Sequence, residues 1–528
     1  MKQPVGGEAR GPTGNDSRRR WLAIAIAAIV ALSLTGVGVL LRGGRTHDAT
    51  VTPVPTGRAH PPNVLVFVTD DQDFGTWSAM PRTRRLVLDH GIEFTNAYVS
   101  NPSCCPSRAT ILTGDWSHTT GVYTNHGYGG GTRAFYRMGN EQRTIATYLD
   151  PSYDTALFGK YLNGYAAEAD RIGQHAYVPP GWDEWQAFYG MNGSYYHYRL
   201  NVDGRLERYG GGPKDYSTDV LGERLRDWLD PSDGVGRDPT QPFFAYFAAF
   251  SPHGPSEASP TYGDDHRFLD LPAYDSPAVN ERDVSDKPTY IRGLQPLRPA
   301  GRRRLTYQWR LQHQSLFSYD RQIGLTLRLL RREHQLHDTL VIVMSDNGEE
   351  DGEHRWKYKL VPYERSIHVP LAIRYDRLIR HKGVVDDTDM VANTDLLPTI
   401  TALALGRGWR PPAPVDGVSL RAILMGKQRG PLRRSMLLEN GYYNRGDKQA
   451  VPTYCGLLTL RWKYVVYSPT PRDPGLVVPP EEDELYNLRD DPYELRNVVT
   501  SRPDVAARLR ERLATACSPT PPGWSVAW

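Results

Sequence analysis

Five apolar runs, rich in β-branched and aromatic residues, constrain the fold of this chain more than any other feature of its sequence. An uninterrupted run of four to eight such residues is typical of a strand that is buried on both faces, as in the parallel sheets of α/β proteins. Residues 318–336, directly before the fourth run, have apolar side chains at helical spacing, so helix and strand alternate there. The five runs are Val64–Val68, Thr155–Phe158, Phe243–Phe250, Leu340–Met344 and Val369–Arg374.

Acidic and amide side chains follow two of these runs. Asp70 and Asp71 come after the first run, and Asp346 and Asn347 come after the fourth. Adjacent carboxylates repel each other unless a cation lies between them, and Ca²⁺ and Mg²⁺ prefer carboxylate and amide oxygens. The Asp70–Asp71 segment alone is equally consistent with a solvated turn, and the Asp346–Asn347 segment alone favours a simple turn. Because ligands bind beyond the carboxyl ends of strands in open α/β sheets, the two segments together predict a divalent metal site.

Basic side chains lie close to three of the runs. Lys160 follows the second run and His253 follows the third, within a Pro-His-Gly-Pro segment. Lys357 and Lys359 precede the fifth run. A single lysine or histidine at a strand end is usually solvated surface. Their repeated position favours one site at one edge of the sheet.

The N-terminal segment predicts the location of the protein. Trp21–Leu41 is an uncharged apolar run of 21 residues, and a helix of that length spans about 30 Å, enough to cross a bilayer. Three arginines precede it, which predicts a cytoplasmic N-terminus and an extracytoplasmic remainder. Secretion after signal cleavage is the alternative. The predicted organisation is a basic N-terminus (1–20), a signal-anchor (21–41), a linker (42–60), a catalytic domain (61–425) and a small C-terminal domain (426–528).

Composition excludes some classes of protein. The formal net charge is only +3, from 63 basic and 60 acidic residues, so nothing drives nucleic-acid binding. The four cysteines are too few for a disulfide scaffold. Cys455 and Cys517 could form a disulfide with each other in an oxidising compartment. Cys104 and Cys105 are adjacent, which strains a disulfide and does not suit a metal site.

The stretch from Cys104 to Gly114, CCPSRATILTG, resembles the sulfatase signature C-x-P-S-R-x-x-x-L-T-G. The resemblance extends over about residues 60–500 and includes VTDDQD, GKYLN, PHGP, SDNG and KLVPYE. Within the family, CCPSR, GKYLNGY and YVPPGWDEW look most like N-acetylglucosamine-6-sulfatases and extracellular heparan endosulfatases. The resemblance implies that Cys104 is oxidised to formylglycine, while Cys105 fills the variable position.

The resemblance also implies a mechanism. The formylglycine aldehyde hydrates to a diol, one hydroxyl attacks sulfur and expels the alcohol, and the other hydroxyl then re-forms the aldehyde and releases sulfate. A divalent metal, usually Ca²⁺ with Mg²⁺ as the alternative, orients the nucleophile and polarises the sulfate. The implied metal ligands are Asp70, Asp71, Cys104, Asp346 and Asn347.

Further roles follow from matching positions. Arg108 would steady the diol, and Lys160 and Lys359 would contact the sulfate. Lys359 is preferred to Lys357 because it lies four residues before Tyr363, the spacing of the family. His253 matches the general acid at the leaving oxygen.

Asn163, His118 and His354 are candidate substrate contacts. Many sulfatases have a histidine two positions after the lysine of G-K-W-H, whereas here Lys160 is followed by Tyr161, Leu162 and Asn163. His118 and His354 are the other candidates, and a structural role is open for both. The basic stretch GRRRLTYQWR, from Gly301 to Arg310, either attracts a polyanionic glycan or is a solvated face.

The fold implied is α/β: an alkaline-phosphatase-like, mostly parallel sheet between helices, with a smaller antiparallel C-terminal α+β domain and the N-terminal transmembrane helix. The implied partners are a sulfated glycan or small sulfate ester, the formylglycine-generating enzyme and the membrane. The leading hypothesis is an extracytoplasmic sulfatase. Its alternatives are a phosphonate or phosphodiester hydrolase on the same scaffold and a glycan-binding protein without catalysis.

Overall fold

The computed structural model describes residues 60–528, apart from 128, 191–192, 231, 233–236, 263–264, 266, 407, 445–449 and 470–481. The predicted segments 1–20 and 21–41 lie outside the described residues, as does all of the predicted linker except residue 60. Among the residues that are described, no helix is both long enough and apolar enough to cross a bilayer.

Strands and helices alternate through most of the described chain. The strands are β1 Asn63–Thr69, β2 Ile92–Phe94, β3 Ala97–Tyr98, β4 Asp154–Gly159, β5 Glu184–Phe188, β6 Arg199–Val202, β7 Arg205–Arg208, β8 Phe243–Ala248, β9 Thr339–Ser345, β10 Glu350–Asp351, β11 Lys357–Tyr358, β12 Leu371–Arg374, β13 Val384–Asp386, β14 Val391–Ala392, β15 Met436–Asn440, β16 Tyr443–Asn444, β17 Ala450–Val451, β18 Thr453–Leu458, β19 Trp462–Ser468 and β20 Glu484–Asn487.

The α-helices range from one turn to more than nine turns. They are α1 Pro81–Leu86, α2 Cys104–Thr113, α3 Ser117–Thr120, α4 Gly131–Arg137, α5 Ile145–Leu149, α6 Tyr165–Arg171, α7 Ser217–Leu229, α8 Thr289–Arg292, α9 Pro299–Arg332, α10 Glu364–Ile367, α11 Leu396–Ala404, α12 Arg421–Leu424 and α13 Pro503–Ala516.

A ten-stranded sheet forms the centre of the molecule, in the order β13-β2-β12-β9-β1-β8-β4-β5-β6-β7. The five predicted runs all lie in it, as β1, β4, β8, β9 and β12. The middle of the sheet, from β9 to β5, is parallel. The sheet is mixed rather than mostly parallel, because β12 runs antiparallel to both of its neighbours and β6 and β7 are antiparallel. Asp203 and Gly204 both have positive φ in the two-residue turn between β6 and β7, which enforces a hairpin.

Both faces of the central strands are buried, as the uninterrupted apolar runs predict. Val64, Val66 and Val68 of β1 pack into an apolar cluster on one face. Leu65 and Phe67 pack into the cluster on the other face. This alternation follows from the two-residue period of a strand, and it requires helices on both sides of the sheet.

The longest helix, α9, covers one face. Ile323, Leu327 and Leu330, predicted to share one side of a helix, are buried in the same cluster as Leu65 and Phe67. The helix begins earlier than the apolar spacing indicates, because it also includes the basic stretch GRRRLTYQWR. Pro299 at its first turn suits a helix start, where its missing N–H is not needed.

A smaller antiparallel sheet, β15-β18-β19-β20, forms from the C-terminal segments, as predicted. The predicted terminal helix is present as α13, and its Leu509 and Leu513 pack against this sheet. A disulfide joins Cys455 of β18 to Cys517, with the two Cα atoms 6.3 Å apart. All described residues form one compact unit, and the domain boundary at 425/426 stays a prediction.

Candidate active site

The pairing of β1 with β9 brings together the two acidic segments. The strands are parallel neighbours, and Thr69 lies opposite Ser345 at their ends. Asp70 and Asp346 therefore leave the sheet side by side. Asp71 follows with a φ of 69°, and its backbone N–H donates to Asp346 Oδ1 at 3.1 Å. The predicted convergence of carboxylates at this edge of the sheet is confirmed.

Cys104 begins α2 and is only 2% exposed. Its Sγ lies 3.5 Å from Asp70 Oδ1 and 2.8 Å from Lys359 Nζ. Ligand atoms of Asp70, Asp71 and Cys104 all lie within 4.8 Å of one another. Burial raises the pKa of the Cys104 thiol to about 12, although Lys160 and Lys359 act in the opposite direction. At neutral pH the thiol is therefore protonated, and a protonated thiol is a poor nucleophile and a poor metal ligand.

Two lysines hold the carboxylates. The ammonium groups of Lys160 and Lys359 are hydrogen-bonded to Asp70 Oδ2 and Asp71 Oδ1, respectively. Burial acts to raise the pKa of Asp70, but Lys160 and Arg108 outweigh it and lower the pKa below its usual value. The pKa of Asp71 is lowered in the same way, mainly by Lys359. Both carboxylates are therefore ionised, as metal ligands must be.

Arg108 lies four residues after Cys104, one turn further along α2. Its Nε donates to Asp346 Oδ2 at 2.8 Å, and one terminal nitrogen donates to the Lys160 carbonyl at 3.1 Å. A second terminal nitrogen lies 3.6 Å from Asp70 Oδ2. This buried guanidinium ties together the ends of β1, β4 and β9.

His253 lies beyond the end of β8. Its Nε2 is 3.6 Å from Asp71 Oδ2, and its Nδ1 is 2.9 Å from the Gly254 carbonyl. The ring stacks on Phe250 with 4.5 Å between ring centroids. The side chain is 34% exposed. One face of this histidine thus reaches the carboxylates while the other remains accessible from outside.

The donor set fits a hard divalent cation. Asn347 Nδ2 donates to Asp71 Oδ1 at 2.6 Å, whereas Asn347 Oδ1 is buried and has no hydrogen-bond partner among the described residues. A buried amide oxygen without a partner is costly unless something binds it. Three carboxylates and this amide oxygen meet here, which is the ligand chemistry of Ca²⁺ or Mg²⁺.

The cluster opens into a cavity of about 700 Å³. Cys104, Asp71, Lys160, His253 and Lys359 all line it, as does Asn163. The Oδ1 atom of Asn163 is buried and has no hydrogen-bond partner in the part of the chain that is described. A polar atom of this kind in a cavity wall is available to a ligand.

His118 and His354 do not line this cavity. His118 Nδ1 lies 3.1 Å from Glu439 Oε2; burial lowers the pKa of His118, but Glu439 outweighs it and raises the pKa. His354 is buried, with Nδ1 2.7 Å from Glu281 Oε2. Each histidine has a glutamate partner inside the protein, so the cavity gives no support for a substrate contact by either.

The lining also includes residues that were not predicted as site residues from the sequence, among them Asn125, Glu349 and Gln308. Asn125 accepts from the backbone N–H of Cys105 at 2.8 Å, and so holds the start of α2. Glu349 accepts from Gln312 at 2.7 Å. The position of Glu349 directly after Asp-Asn-Gly was a usable signal, because it continues the acidic segment. Gln308, on α9, has no sequence signal, since nothing in the sequence shows which face of that helix meets the cavity.

Comparison with known families decides the assignment. A family model described as Sulfatase matches residues 62–406. The chain belongs to the sulfatase family. A second model, described as N-sulphoglucosamine sulphohydrolase, C-terminal, matches residues 352–518 of this sulfatase-family chain.

Named sulfatases are similar over most of the chain. The N-acetylglucosamine-6-sulfatase of Capra hircus is 30% identical over 485 residues, which cover 86% of this chain and 82% of the relative. The extracellular sulfatase SULF-1 homolog of Drosophila melanogaster is 32% identical over 379 residues, which cover 71% of this chain and 32% of the relative. The chain spans about a third to a half of the length of the first curated relatives that it matches.

A solved structure establishes the fold. BT4656, in complex with its substrate D-glucosamine-2-N,6-O-disulfate, aligns with a TM-score of 0.66 and 21% sequence identity, covering 88% of this chain and 99% of that chain. The architecture is the alkaline-phosphatase-like sulfatase fold, with a large mixed sheet and a smaller antiparallel C-terminal sheet.

Proposed function

We propose that the protein hydrolyses a sulfate ester on a sulfated carbohydrate. One observation carries this proposal: Cys104, at the start of α2, faces Lys359 at 2.8 Å and two buried aspartates at the end of an open cavity. In this family, the equivalent cysteine is the one that becomes formylglycine. The raised pKa of the Cys104 thiol supports the same conclusion, because the unmodified side chain is a poor nucleophile.

The oxygens of the site would hold one divalent cation, for which Ca²⁺ is expected and Mg²⁺ is the alternative. When bound, the cation supplies Lewis-acid polarisation of the sulfate oxygens. The residues that would hold it are Asp70, Asp71, Asp346, Asn347 and the modified residue 104.

The cationic side chains have separate tasks. Lys160 and Lys359 have raised pKa values, because their aspartate partners outweigh the effect of burial. Both therefore stay charged in a site of low dielectric, where preorganised positive charge stabilises sulfuryl oxygens in the transition state. Arg108 is bonded to Asp346 and to the backbone of Lys160, and it keeps residue 104 and the carboxylates in register.

His253 is proposed as the general acid. It lines the cavity close to Asp71, and its Nδ1 lies 2.9 Å from a backbone carbonyl, which leaves Nε2 to face the reaction. An alkoxide leaving group needs a proton, and a histidine held at the mouth of the site is placed to supply one.

The substrate class is proposed to be sulfated glucosamine, with the ester at the 6-position. Two relatives at about 30% identity are named N-acetylglucosamine-6-sulfatase, and the structural neighbour BT4656 holds a glucosamine disulfate. A cavity of about 700 Å³ has the size of a site for a ligand of one or two sugar units.

The protein is proposed to act outside the cytoplasm. Two relatives are named extracellular sulfatases, and the bridge between Cys455 and Cys517 suits an oxidising compartment. Residues 21–41 are proposed to attach the protein to the membrane. The formylglycine-generating enzyme is the proposed partner during synthesis. Cell fractionation of the full chain and of a chain lacking residues 1–41 tests the anchor: only the full chain should sediment with membranes.

The decisive experiment joins mass spectrometry to kinetics. The peptide that contains Cys104 should show the mass loss of a thiol converted into an aldehyde, and the same preparation should hydrolyse an aryl sulfate and N-acetylglucosamine 6-sulfate. An aryl phosphodiester is the control substrate for the alternative function. Faster turnover of the phosphodiester would establish the phosphodiesterase alternative, and no turnover of any ester by aldehyde-containing protein would leave a glycan-binding protein.

A further inference from the structure

The first turns of α9 form one wall of the cavity. Gly301, Arg304, Leu305 and Gln308 line it. Their spacing of three and four residues places them on one face of the helix. Arg303 is not in the lining, although it is exposed and adjacent to Arg304. Of the basic stretch GRRRLTYQWR, only one side therefore faces the site.

The short strand β11 contributes another part of the wall. Lys357 and Tyr358 line the same cavity, and Tyr358 is 45% exposed. Tyr358 has a φ of 76°, which is unfavourable for a residue with a side chain. Backbone strain of this kind persists at ligand-binding positions because the surrounding structure enforces it. Tyr358 thus combines an unfavourable backbone conformation with an accessible place in the cavity wall.

Two cationic side chains of the cavity wall have no acidic partner in the described structure. Within the described part of the chain, neither Arg304 nor Lys357 takes part in an ion pair. The acidic lining residues have other partners: Asp351 accepts from Arg365 at 2.7 Å, Glu349 accepts from Gln312 at 2.7 Å, and Glu350 Oε1 accepts from the backbone N–H of Ser366 at 2.9 Å. Glu350 Oε2 is buried and has no hydrogen-bond partner among the described residues. Two exposed or half-exposed cations thus face the cavity without a partner, whereas Lys160 and Lys359 deeper inside are each paired.

We propose that Arg304, Lys357 and Tyr358 form a subsite for a second sugar unit that carries a negative charge. Arg304 and Lys357 bind the anionic group, a carboxylate or a sulfate, and the ring of Tyr358 packs on the apolar face of the sugar. The preferred substrate is then a polyanionic glycan segment rather than an isolated sugar sulfate. This inference rests on the proposed function, because the first sugar unit must place its ester at residue 104.

The test compares substrates of rising complexity on purified full-length protein with confirmed aldehyde content. They are an aryl sulfate, glucosamine 6-sulfate linked to a neutral hexose, the same sugar linked to a uronate, and the same sugar linked to an O-sulfated hexose. The last two substrates distinguish a carboxylate from a second sulfate as the recognised anion. The wild-type kcat/KM should be highest for at least one of the two charged substrates.

The variants R304A and K357A should each lower kcat/KM for the preferred charged disaccharide about tenfold, mainly through KM, because each removes one charged contact to the ligand. Both should leave kcat/KM for the aryl sulfate within about twofold of wild type. R303A is the matched control: the same residue type on the same helix turn, outside the lining. It should behave as wild type on every substrate.

Three outcomes would overturn the inference. The first is equal kcat/KM for the neutral and both charged disaccharides. The second is an equal loss on the aryl sulfate and the charged disaccharide, which would assign Arg304 and Lys357 a structural role. The third is the absence of hydrolysis of all four sulfates, which would overturn the proposed function itself and the subsite with it; the first two leave the proposed function intact.

Discussion

Two buried clusters of charged residues in this molecule use the same side-chain types for different purposes. The cavity cluster, at the end of β1 and β9, consists of Asp70, Asp71, Lys160 and Lys359 with their neighbours. The C-terminal cluster consists of Glu364, Lys463 and Glu494. Lys463 is fully buried, with Nζ 3.4 Å from Glu364 Oε1 and in contact with Glu494. Burial and pairing of charge alone do not distinguish the two clusters.

The difference lies in how the oxygen atoms are arranged. In the cavity cluster, ligand atoms of three residues come within 4.8 Å of one another, beside an amide oxygen without a partner. The same kind of grouping is not found elsewhere in the described residues. In the C-terminal cluster, the single lysine lies between the two glutamates and bonds to both of them. Convergent oxygens on a cavity therefore indicate a site, whereas carboxylates separated by a cation indicate structure.

The largest effect expected is the loss of activity in Cys104→Ala. Removal of the nucleophile should lower kcat/KM for an aryl sulfate by about 10⁴-fold or more. The midpoint of thermal unfolding should stay close to that of wild type, because the side chain lost is small. Cys105→Ala is the matched control, since Cys105 is equally buried but points into the apolar core. If Cys104→Ala retained activity, the cavity cluster would not be the catalytic site, and its contrast with the structural C-terminal cluster would fail.

For Lys463→Met, we expect a loss of stability without a loss of activity. The buried Glu494 and the partly exposed Glu364 would lose their shared cation, which should lower the free energy of unfolding by about 3–5 kcal/mol. The kcat of the protein that remains folded should not change, because Lys463 does not line the cavity. Denaturant unfolding followed by circular dichroism measures the first quantity, and an aryl sulfate assay the second. The exposed Lys427→Met should change stability by less than about 0.5 kcal/mol.

Lys359→Met should lower kcat by about 10²–10³-fold, because it removes one preorganised positive charge from the sulfate site. Lys357→Met, two residues earlier in the sequence, is its control. This variant should keep the wild-type kcat for the aryl sulfate, since Lys357 belongs to the proposed subsite for the second sugar unit. A larger loss of kcat in the Lys357 variant would reverse the assignment of the two lysines.

The smallest effect is a change in how stability depends on pH. Burial lowers the pKa of His354 from 6.5 to about 3 and raises that of Glu281 from 4.5 to about 7. Between pH 4.5 and 6.5 the folded chain thus binds one proton less on His354 and one more on Glu281 than the unfolded chain, and the two contributions cancel.

His354→Asn should uncover the contribution of Glu281. That contribution is fully present below pH 4.5 and is lost as the pH rises through about 7. The variant should therefore lose stability relative to wild type as the pH is raised from 4.5 to 7, measured as the unfolding midpoint at each pH. A parallel pH dependence in both proteins would contradict the cancellation.

The sequence predicted the cavity cluster but not the C-terminal cluster, for a physical reason. Asp70, Asp346 and Lys160 each follow an apolar run, and parallel strands deliver the residues after them to one edge of the sheet. Glu364, Lys463 and Glu494 come from three segments without such a pattern. Their meeting depends on how the C-terminal sheet packs, which local periodicity does not encode.

Strand direction was also only partly predictable. An apolar run indicates burial on both faces, which β12 satisfies although it runs antiparallel to β9. The run itself carries no information on direction. For a related reason, the sequence left open whether the basic beginning of α9 attracts a glycan or is a solvated face: the apolar spacing defines the side of the helix that faces the sheet, but not what its polar beginning contacts.

The ladder between β1 and β9 joins segments that are about 275 residues apart in the chain. The proposed cation site therefore needs both segments, and a nascent or truncated polypeptide that ends before Ser345 lacks Asp346 and Asn347. Closing so long a loop costs only slightly more than closing one half its size. A longer surface loop between the two segments should therefore add little to the free-energy cost of bringing Asp70 and Asp346 together.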